Sequence, residues 1–182
     1  MNGRGWAVVG VAAVGVVWAA GAFGAQPTAP LQGDQLGPEA DEDQGAYVAR
    51  AADSLAAADD ATSTYALVTF RSALSAQDSA DAVEPAGRVN AMLVGASEPI
   101  ALPEPVAGAN RADVFDAALE QTQAGLEGIG HVEIPREVSA VVVWDTGQTL
   151  RDIAGEGQVA AVEPVPADAA WGSFAIRPPG AL

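Results

Sequence analysis

The longest apolar stretch of the chain lies at its amino terminus. Residues 5–25 read GWAVVGVAAVGVVWAAGAFGA, a run of 21 residues without a charge. A helix needs about 20 apolar residues to cross a bilayer, so this run predicts a transmembrane anchor over residues 1–25. Tryptophan is typical of the membrane–water interface, and a basic residue precedes the run. The predicted anchor residues are Arg4, Trp6, Val9, Val14, Val17 and Trp18.

The charges around this run predict its orientation. Arg4 stands before it, and the first acidic residue after it is Asp34. This arrangement places the amino terminus in the cytoplasm and the rest of the chain on the extracytoplasmic side of the cell membrane. A cleaved secretory signal is the alternative, because Ala20-Gly21-Ala22 offers a small-x-small cleavage site. The apolar part of a signal has only about 7–15 residues, which favours a retained anchor. Both interpretations export the remainder of the chain.

Residues 26–44 have a different composition. They hold three prolines, several acidic residues and no basic residue, with almost no large apolar side chain. This composition predicts an acidic, flexible Pro/Gly linker. The acidic residues lack the Asp-x-Asp-x-Asp-Gly register of an EF-hand loop, so a charged spacer is favoured over a metal site.

Residues 45–182 alternate between helical and strand patterns, which predicts one exported α+β domain. In the first half, Tyr47, Ala51 and Leu55 recur at helical spacing. β-branched and aromatic residues in short runs predict strands, and Ser75 is a good helix cap. The predicted elements are a helix over Ala46–Ala61, a strand over Thr64–Arg71, a helix from Ser75 to about Pro85, and a strand over Val89–Val94.

The second half repeats this order after a proline-rich segment, residues 95–110, where we expect no regular structure. Its predicted elements are a helix over Arg111–Gly128, a strand over Val138–Trp144, a helix over Gln148–Ala154, a strand over Gln158–Glu163 and an edge strand over Trp171–Arg177. Two β-α-β units joined by a longer helical connection predict a ferredoxin-like sandwich, with helices packed on one sheet.

Two blocks of the domain, about half of the exported chain, contain five segments in a characteristic order: Tyr65-Ala-Leu-Val-Thr-Phe70, the helix from Ser75, Val138-Ser-Ala-Val-Val-Val143, Leu150-Arg-Asp-Ile153 and Val159-Ala-Ala-Val-Glu163-Pro164. Through these segments the chain resembles a known family, the subtilisin-propeptide inhibitors. The resemblance implies the same ferredoxin-like fold. It also implies an alternative function, as a propeptide-like inhibitor or chaperone of an exported serine protease.

The composition excludes several kinds of chemistry. The chain has 24 acidic residues against 8 basic ones and a formal charge of -16, so it would repel a phosphate backbone and we expect no nucleic-acid partner. All the basic residues are arginine, which excludes a Schiff base or a P-loop lysine. The absence of cysteine excludes disulfides, a thiol nucleophile and cysteine-ligated zinc.

Two constellations resemble catalytic groups without completing them. His131 and Glu133 would share one face of a strand, but a lone histidine without a second ligand is more often a surface residue. Asp145-Thr146-Gly147 matches the aspartic-protease triplet, whose chemistry needs two carboxylates that share a proton. The chain has no second Asp-Thr-Gly or Asp-Ser-Gly, so a turn is favoured. We therefore predict no catalytic site, no metal site and no cofactor.

The remaining aromatic residues suggest an interface. Trp144 ends an apolar strand, which predicts a core position, whereas Trp171 follows a polar loop beside a glycine and, with Phe174, is the candidate interface. The sequence thus predicts a non-enzymatic, single-pass accessory protein. Its extracytoplasmic domain would bind a membrane or envelope protein, and its helix would bind the lipid bilayer.

Overall fold

A computed structural model describes residues 35–126 and 136–179, which form a mixed α+β structure. Seven strands and four helices lie in these ranges. In chain order they are β1 (Gln35–Leu36), α1 (Gln44–Ala57), β2 (Ser63–Leu74), α2 (Ala76–Ala82), β3 (Arg88–Leu93), β4 (Ile100–Ala101), α3 (Arg111–Leu126), β5 (Val138–Thr146), α4 (Gly147–Ala154), β6 (Val159–Pro164) and β7 (Ala175–Ile176).

Five of the strands form an antiparallel sheet in the order β4-β3-β5-β2-β6. Strand β5 lies between β2 and β3 and is antiparallel to both, so β2 and β3 run parallel to each other, and α2 connects them. In the same way β2 lies between β5 and β6 and is antiparallel to both, so β5 and β6 run parallel to each other, and α4 connects them. Each helical connection therefore crosses one intervening strand. The remaining strands, β1 and β7, form a separate parallel pair.

Helices α2, α3 and α4 cover one face of the sheet. Alternate side chains of β2, those of Ala66, Val68 and Phe70, are buried on this face. They belong to one apolar cluster with Phe115 of α3 and Leu150 of α4. The apolar residues that recur at helical spacing in α3 and the alternate residues of β2 thus pack together in a single core.

The opposite face is covered by segments near both ends of the described chain and, at β6, by α1, whose Tyr47 and Ala51 are buried with Ala161. Leu67 of β2 and Val142 of β5 are buried there with Leu36, Val165 and Phe174. The antiparallel sheet is therefore buried on both faces. This burial explains why β5 carries a continuous apolar run instead of an alternation of apolar and polar residues.

The predicted order of the long elements is confirmed, with ends that shift by a few residues. Helix α1 buries Tyr47, Ala51 and Leu55, the face that their spacing predicts. Ser75 caps α2 as expected, because its side chain accepts a hydrogen bond from the N–H of Asp78.

The predicted linker extends too far toward the domain. Leu36 is only 1% exposed, and β1 pairs with β7. Asp43 caps α1 by accepting a hydrogen bond from the N–H of Ala46 at 2.9 Å. Residues 35–43 are therefore packed on the domain. Composition alone predicted a solvated tether, because the buried Leu36 and the capping Asp43 stand among polar residues and have no distinctive local pattern.

Two strand predictions are also wrong in detail. The predicted edge strand over Trp171–Arg177 is reduced to β7, which pairs with β1 and not with the main sheet. Gly172, at φ +81°, makes a turn where that strand was expected to begin. In the proline-rich segment, Ile100–Ala101 forms a short strand on β3, between two prolines that end it on either side.

Several predicted features fall outside the described residues. These are the anchor over residues 1–25, with Arg4, Trp6, Val9, Val14, Val17 and Trp18, the first part of the linker, and the His131–Glu133 pair. Of the helices in residues 35–126 and 136–179, none combines the length and the apolar character that a membrane span requires.

Candidate functional site

An aromatic cluster lies on the sheet face that the terminal segments cover. The rings of Trp171 and Phe174 lie 5.4 Å and 5.6 Å from the ring of Tyr65, and 6.0 Å from each other. Such centroid distances favour aromatic contact. Trp171 is 43% exposed, while Phe174 lies beneath it at 8%. The structure thus brings the two predicted interface residues together, but only Trp171 offers substantial surface.

The neighbouring strands extend this cluster into an open cleft. Arg88 on β3, Trp144 on β5 and Tyr65 on β2 stand directly opposite one another across the sheet, so their side chains share one face. With Gly87 and Asp145 they line a cavity of about 420 Å³. We call these five residues the aromatic cleft. Its volume is within the range of ligand-binding pockets.

The core position predicted for Trp144 is wrong. Its side chain is 43% exposed. Val142, two residues earlier on the same face of β5, is fully buried beneath the terminal segments. These segments leave the end of β5 uncovered, so the next side chain on that face is exposed to solvent. An apolar run gives no signal of where its covering layer stops.

The aromatic cleft also contains two charged side chains, those of Asp145 and Arg88. Asp145 accepts hydrogen bonds from the N–H of Gly87 at 2.6 Å and from the N–H of Thr146 at 2.7 Å. Burial alone would raise the pKa of Asp145, but these N–H groups hold it below its ordinary value. Arg88 lies 3.4 Å from Glu104, and both side chains are about half exposed. The cleft therefore combines exposed aromatic surface with charges of both signs.

The Asp-Thr-Gly triplet has a structural explanation at each position. Asp145 binds the two backbone N–H groups just described, and Thr146 caps α4 by accepting from the N–H of Thr149. Gly147 lies so close to a neighbouring loop that an added Cβ would stand 2.4 Å from the carbonyl oxygen of Asp59. The strand passes directly into α4 through this triplet, in place of the predicted turn.

A second polar cluster fixes the first described residues to the domain. The buried carboxylate of Glu163 accepts a hydrogen bond from the N–H of Gly37 at 2.7 Å and forms an ion pair with Arg50. Arg50 also donates to both carboxylate oxygens of Glu42, at 2.9 Å and 2.8 Å. We call Gly37, Glu42, Arg50 and Glu163 the terminal clamp.

The electrostatics of the terminal clamp follow from these contacts. Hydrogen bonds from Arg50 hold the pKa of Glu42 at about 2, compared with its ordinary value of 4.5. Burial raises the pKa of Glu163, although the N–H of Gly37 and the guanidinium of Arg50 act in the opposite direction. Sequence reasoning missed this cluster because Arg50 and Glu163 are 113 residues apart.

Another open cavity, of about 390 Å³, lies between the end of α1 and the residues after β6. Small side chains such as Ser54, Ala58 and Thr64 line much of it. In the part of the chain that the structure describes, no group of three or more histidine, cysteine or acidic side chains is arranged to hold a metal ion. Of the two cavities, the aromatic cleft is the stronger candidate site, because exposed aromatic and charged side chains line it.

Comparisons with protein-family models, with curated proteins and with solved structures found no match to this chain.

Proposed function

We propose that this chain is a single-pass, membrane-anchored accessory protein, whose extracytoplasmic domain binds another membrane or envelope protein through the aromatic cleft. The observation that carries this proposal is the exposure of two large aromatic side chains. Trp144 and Trp171 are each 43% exposed, and both are neighbours of Tyr65. Tryptophan is enriched at the energetically important positions of protein interfaces.

We also propose that the domain is a ferredoxin-like sandwich. Its four longer strands lie in the order β6-β2-β5-β3, which is 4-1-3-2 when they are numbered along the chain. Helices α2 and α4, the connections of the two β-α-β units, pack on the same face. Both features support the split β-α-β arrangement. The added layer of α1 and the terminal segments on the second face is a departure from two layers.

The same strand order favours one second candidate, a propeptide-like inhibitor or chaperone of an exported serine protease. The blocks that carry the family resemblance correspond to β2, α2, β5, α4 and β6, which are five of the six elements of the two β-α-β units. A protease partner and an envelope partner make different predictions. An inhibitor would reduce protease activity in a purified assay, whereas an accessory subunit would remain bound to a membrane complex.

Isolation of the full-length protein from membranes tests both candidates. The protein would carry a carboxyl-terminal tag and be purified in mild detergent, followed by intact mass and identification of co-purified proteins. The accessory function predicts a mass that retains residues 1–25 and a stoichiometric membrane partner. A shorter mass, with a secreted protease as the partner, would instead support the inhibitor.

Substitutions of Trp144 in the cleft and of Trp171 beside it test whether this surface carries the interaction. We expect Trp144→Ala and Trp171→Ala each to reduce the amount of co-purified partner at least tenfold, the loss typical of interface hot spots. Val106→Ala is the matched control, because Val106 is an apolar side chain that is 75% exposed outside the cleft. Urea unfolding of each variant would verify that the domain is still folded. Equal partner recovery with all three variants would refute the proposed site.

A further inference from the structure

Most arginine side chains of the domain interact with oxygen atoms of the same chain. Six arginines interact with oxygen atoms of their own chain: Arg50 with Glu42 and Glu163, Arg71 with Gly157, Arg88 with Glu104, Arg111 with Val83 and Ala86, Arg151 with Leu55 and Asp60, and Arg177 with Pro38. The charges of Arg50, Arg88 and Arg151 are thus paired with carboxylates. Arg71, Arg111 and Arg177 donate to backbone carbonyl oxygens, which are uncharged. Since acidic residues outnumber basic ones by 24 to 8, the domain complements a basic partner surface.

The same charge balance holds at the aromatic cleft. Arg88 and Asp145 are the charged residues that line the cleft, and Glu104, outside the lining, forms an ion pair with Arg88. The hydrogen bonds to Asp145 come from backbone N–H groups, which carry no net charge. The local charge is therefore negative, and it lies next to the half-exposed ring of Trp144.

Aromatic rings beside carboxylates favour one type of side chain in particular. Tryptophan gives the strongest cation–π contacts among the aromatic side chains. A guanidinium can stack on an aromatic face and also donate hydrogen bonds in its plane to a carboxylate. Tyr65 and Trp144 are direct cross-strand neighbours, and both line the cavity. Their ring surfaces are therefore accessible to an inserted side chain.

We propose that the aromatic cleft binds an arginine side chain of the partner protein, with its guanidinium stacked on Trp144 and donating hydrogen bonds toward Asp145. This inference rests on the proposed function, and it adds the chemistry of the partner. The partner segment is basic and carries apolar residues beside the arginine, which contact Tyr65 and Trp171. Glu104 contributes long-range attraction from the edge of the cleft.

Two short peptides that differ in one charge test this proposal. The probes are Ala-Leu-Arg-Leu-Ala and the same peptide with citrulline, which keeps the shape of arginine but is neutral, both with blocked termini. Ligand-observed NMR would measure their binding to the full-length protein in detergent. We expect the arginine peptide to bind at least fivefold more tightly, and its affinity to fall as the salt concentration rises.

Variants assign the effect to the cleft. Trp144→Ala should remove most of the preference for arginine over citrulline, and Glu104→Gln should reduce it in part. Glu104 has a side chain that is 50% exposed, so this substitution removes a charge with little effect on folding. Val106→Ala should leave the preference unchanged. Equal binding of the two peptides, or tighter binding of the citrulline peptide, would overturn the proposal.

The two proposals fail in different ways. If Trp144→Ala abolishes recovery of the natural partner but the peptides bind equally, the cleft is an interface and only the arginine assignment is wrong. If the partner is recovered equally well with Trp144→Ala, the proposed function of the cleft is wrong, whatever the peptides show. A preference for arginine that persists in Trp144→Ala would place arginine binding elsewhere and would also overturn the inference.

Discussion

Replacement of Gly37 by alanine tests the terminal clamp most directly. Gly37 has φ +95°, a backbone conformation that residues with a side chain rarely adopt. An added Cβ would stand 2.0 Å from the carbonyl oxygen of Arg177. Since the obstacle is backbone, the two segments would have to separate. We therefore expect Gly37→Ala to loosen the β1–β7 pair and the clamp together.

The expected loss of stability can be built from its parts. The left-handed conformation costs alanine about 1–2 kcal/mol. Separation of the segments also weakens the hydrogen bond from Gly37 to the Glu163 carboxylate, and a bond to a charged group contributes about 1.5–3 kcal/mol. The sum is about 2.5–5 kcal/mol, a large part of the roughly 5–15 kcal/mol that stabilises a typical domain.

Urea unfolding monitored by tryptophan fluorescence would measure this loss, with two glycine variants as controls. Gly172 has φ +81°, but an added Cβ there would meet no atom within 4 Å, so Gly172→Ala carries the conformational cost alone. Gly125 lies in α3 with open space and without a positive φ, so alanine there should stabilise the domain by about 0.4–1 kcal/mol. If Gly37→Ala and Gly172→Ala cost the same within 1 kcal/mol, the close approach at Arg177 is not important for stability.

Three further substitutions test other parts of the structure. Gly147→Ala should cost about 1–3 kcal/mol in urea unfolding, because its Cβ would meet the carbonyl oxygen of Asp59; unchanged stability would refute this contact. Arg111→Met should cost about 1–3 kcal/mol, because it leaves the carbonyl oxygens that follow α2 without their donor, and a neutral result would show that water replaces it. With its pKa lowered to about 2, Glu42 stabilises the fold above pH 4.5 and loses this effect as the pH falls toward 2. The stability difference between wild type and Glu42→Gln should therefore shrink over that range, and a constant difference would contradict the clamp.

Local sequence patterns predicted the long elements because each element contains its own signal. Strand β2 is a short run of β-branched and aromatic residues, α1 repeats apolar residues at helical spacing, and Ser75 marks the start of α2. These signals extend over a few neighbouring residues, and they do not depend on what packs against the element. The order of the elements along the chain then predicts α+β architecture.

The second layer of the sheet was not predictable in this way. Leu36 and Val165 are single apolar residues in polar, proline-rich surroundings, yet both are buried on the same face. The pairing of β1 with β7 joins residues about 140 positions apart, and no local pattern encodes such a contact. The exposure of Trp144 depends on where that layer ends. The core position predicted for Trp144 was therefore wrong for the same reason: no local pattern shows the extent of the layer.

The candidate site depends on this unpredicted layer. Phe174 belongs to the apolar cluster that contains Leu36, and its ring also contacts Tyr65 in the cleft and Trp171 beside it. The bond from the N–H of Arg177 to the carbonyl oxygen of Leu36, 2.8 Å long, fixes the segment that carries these aromatic residues to the first described strand. Loss of the terminal clamp should therefore disturb the cleft as well as the fold. A variant such as Gly37→Ala would then lose both stability and arginine-peptide binding, whereas Glu104→Gln would weaken binding alone.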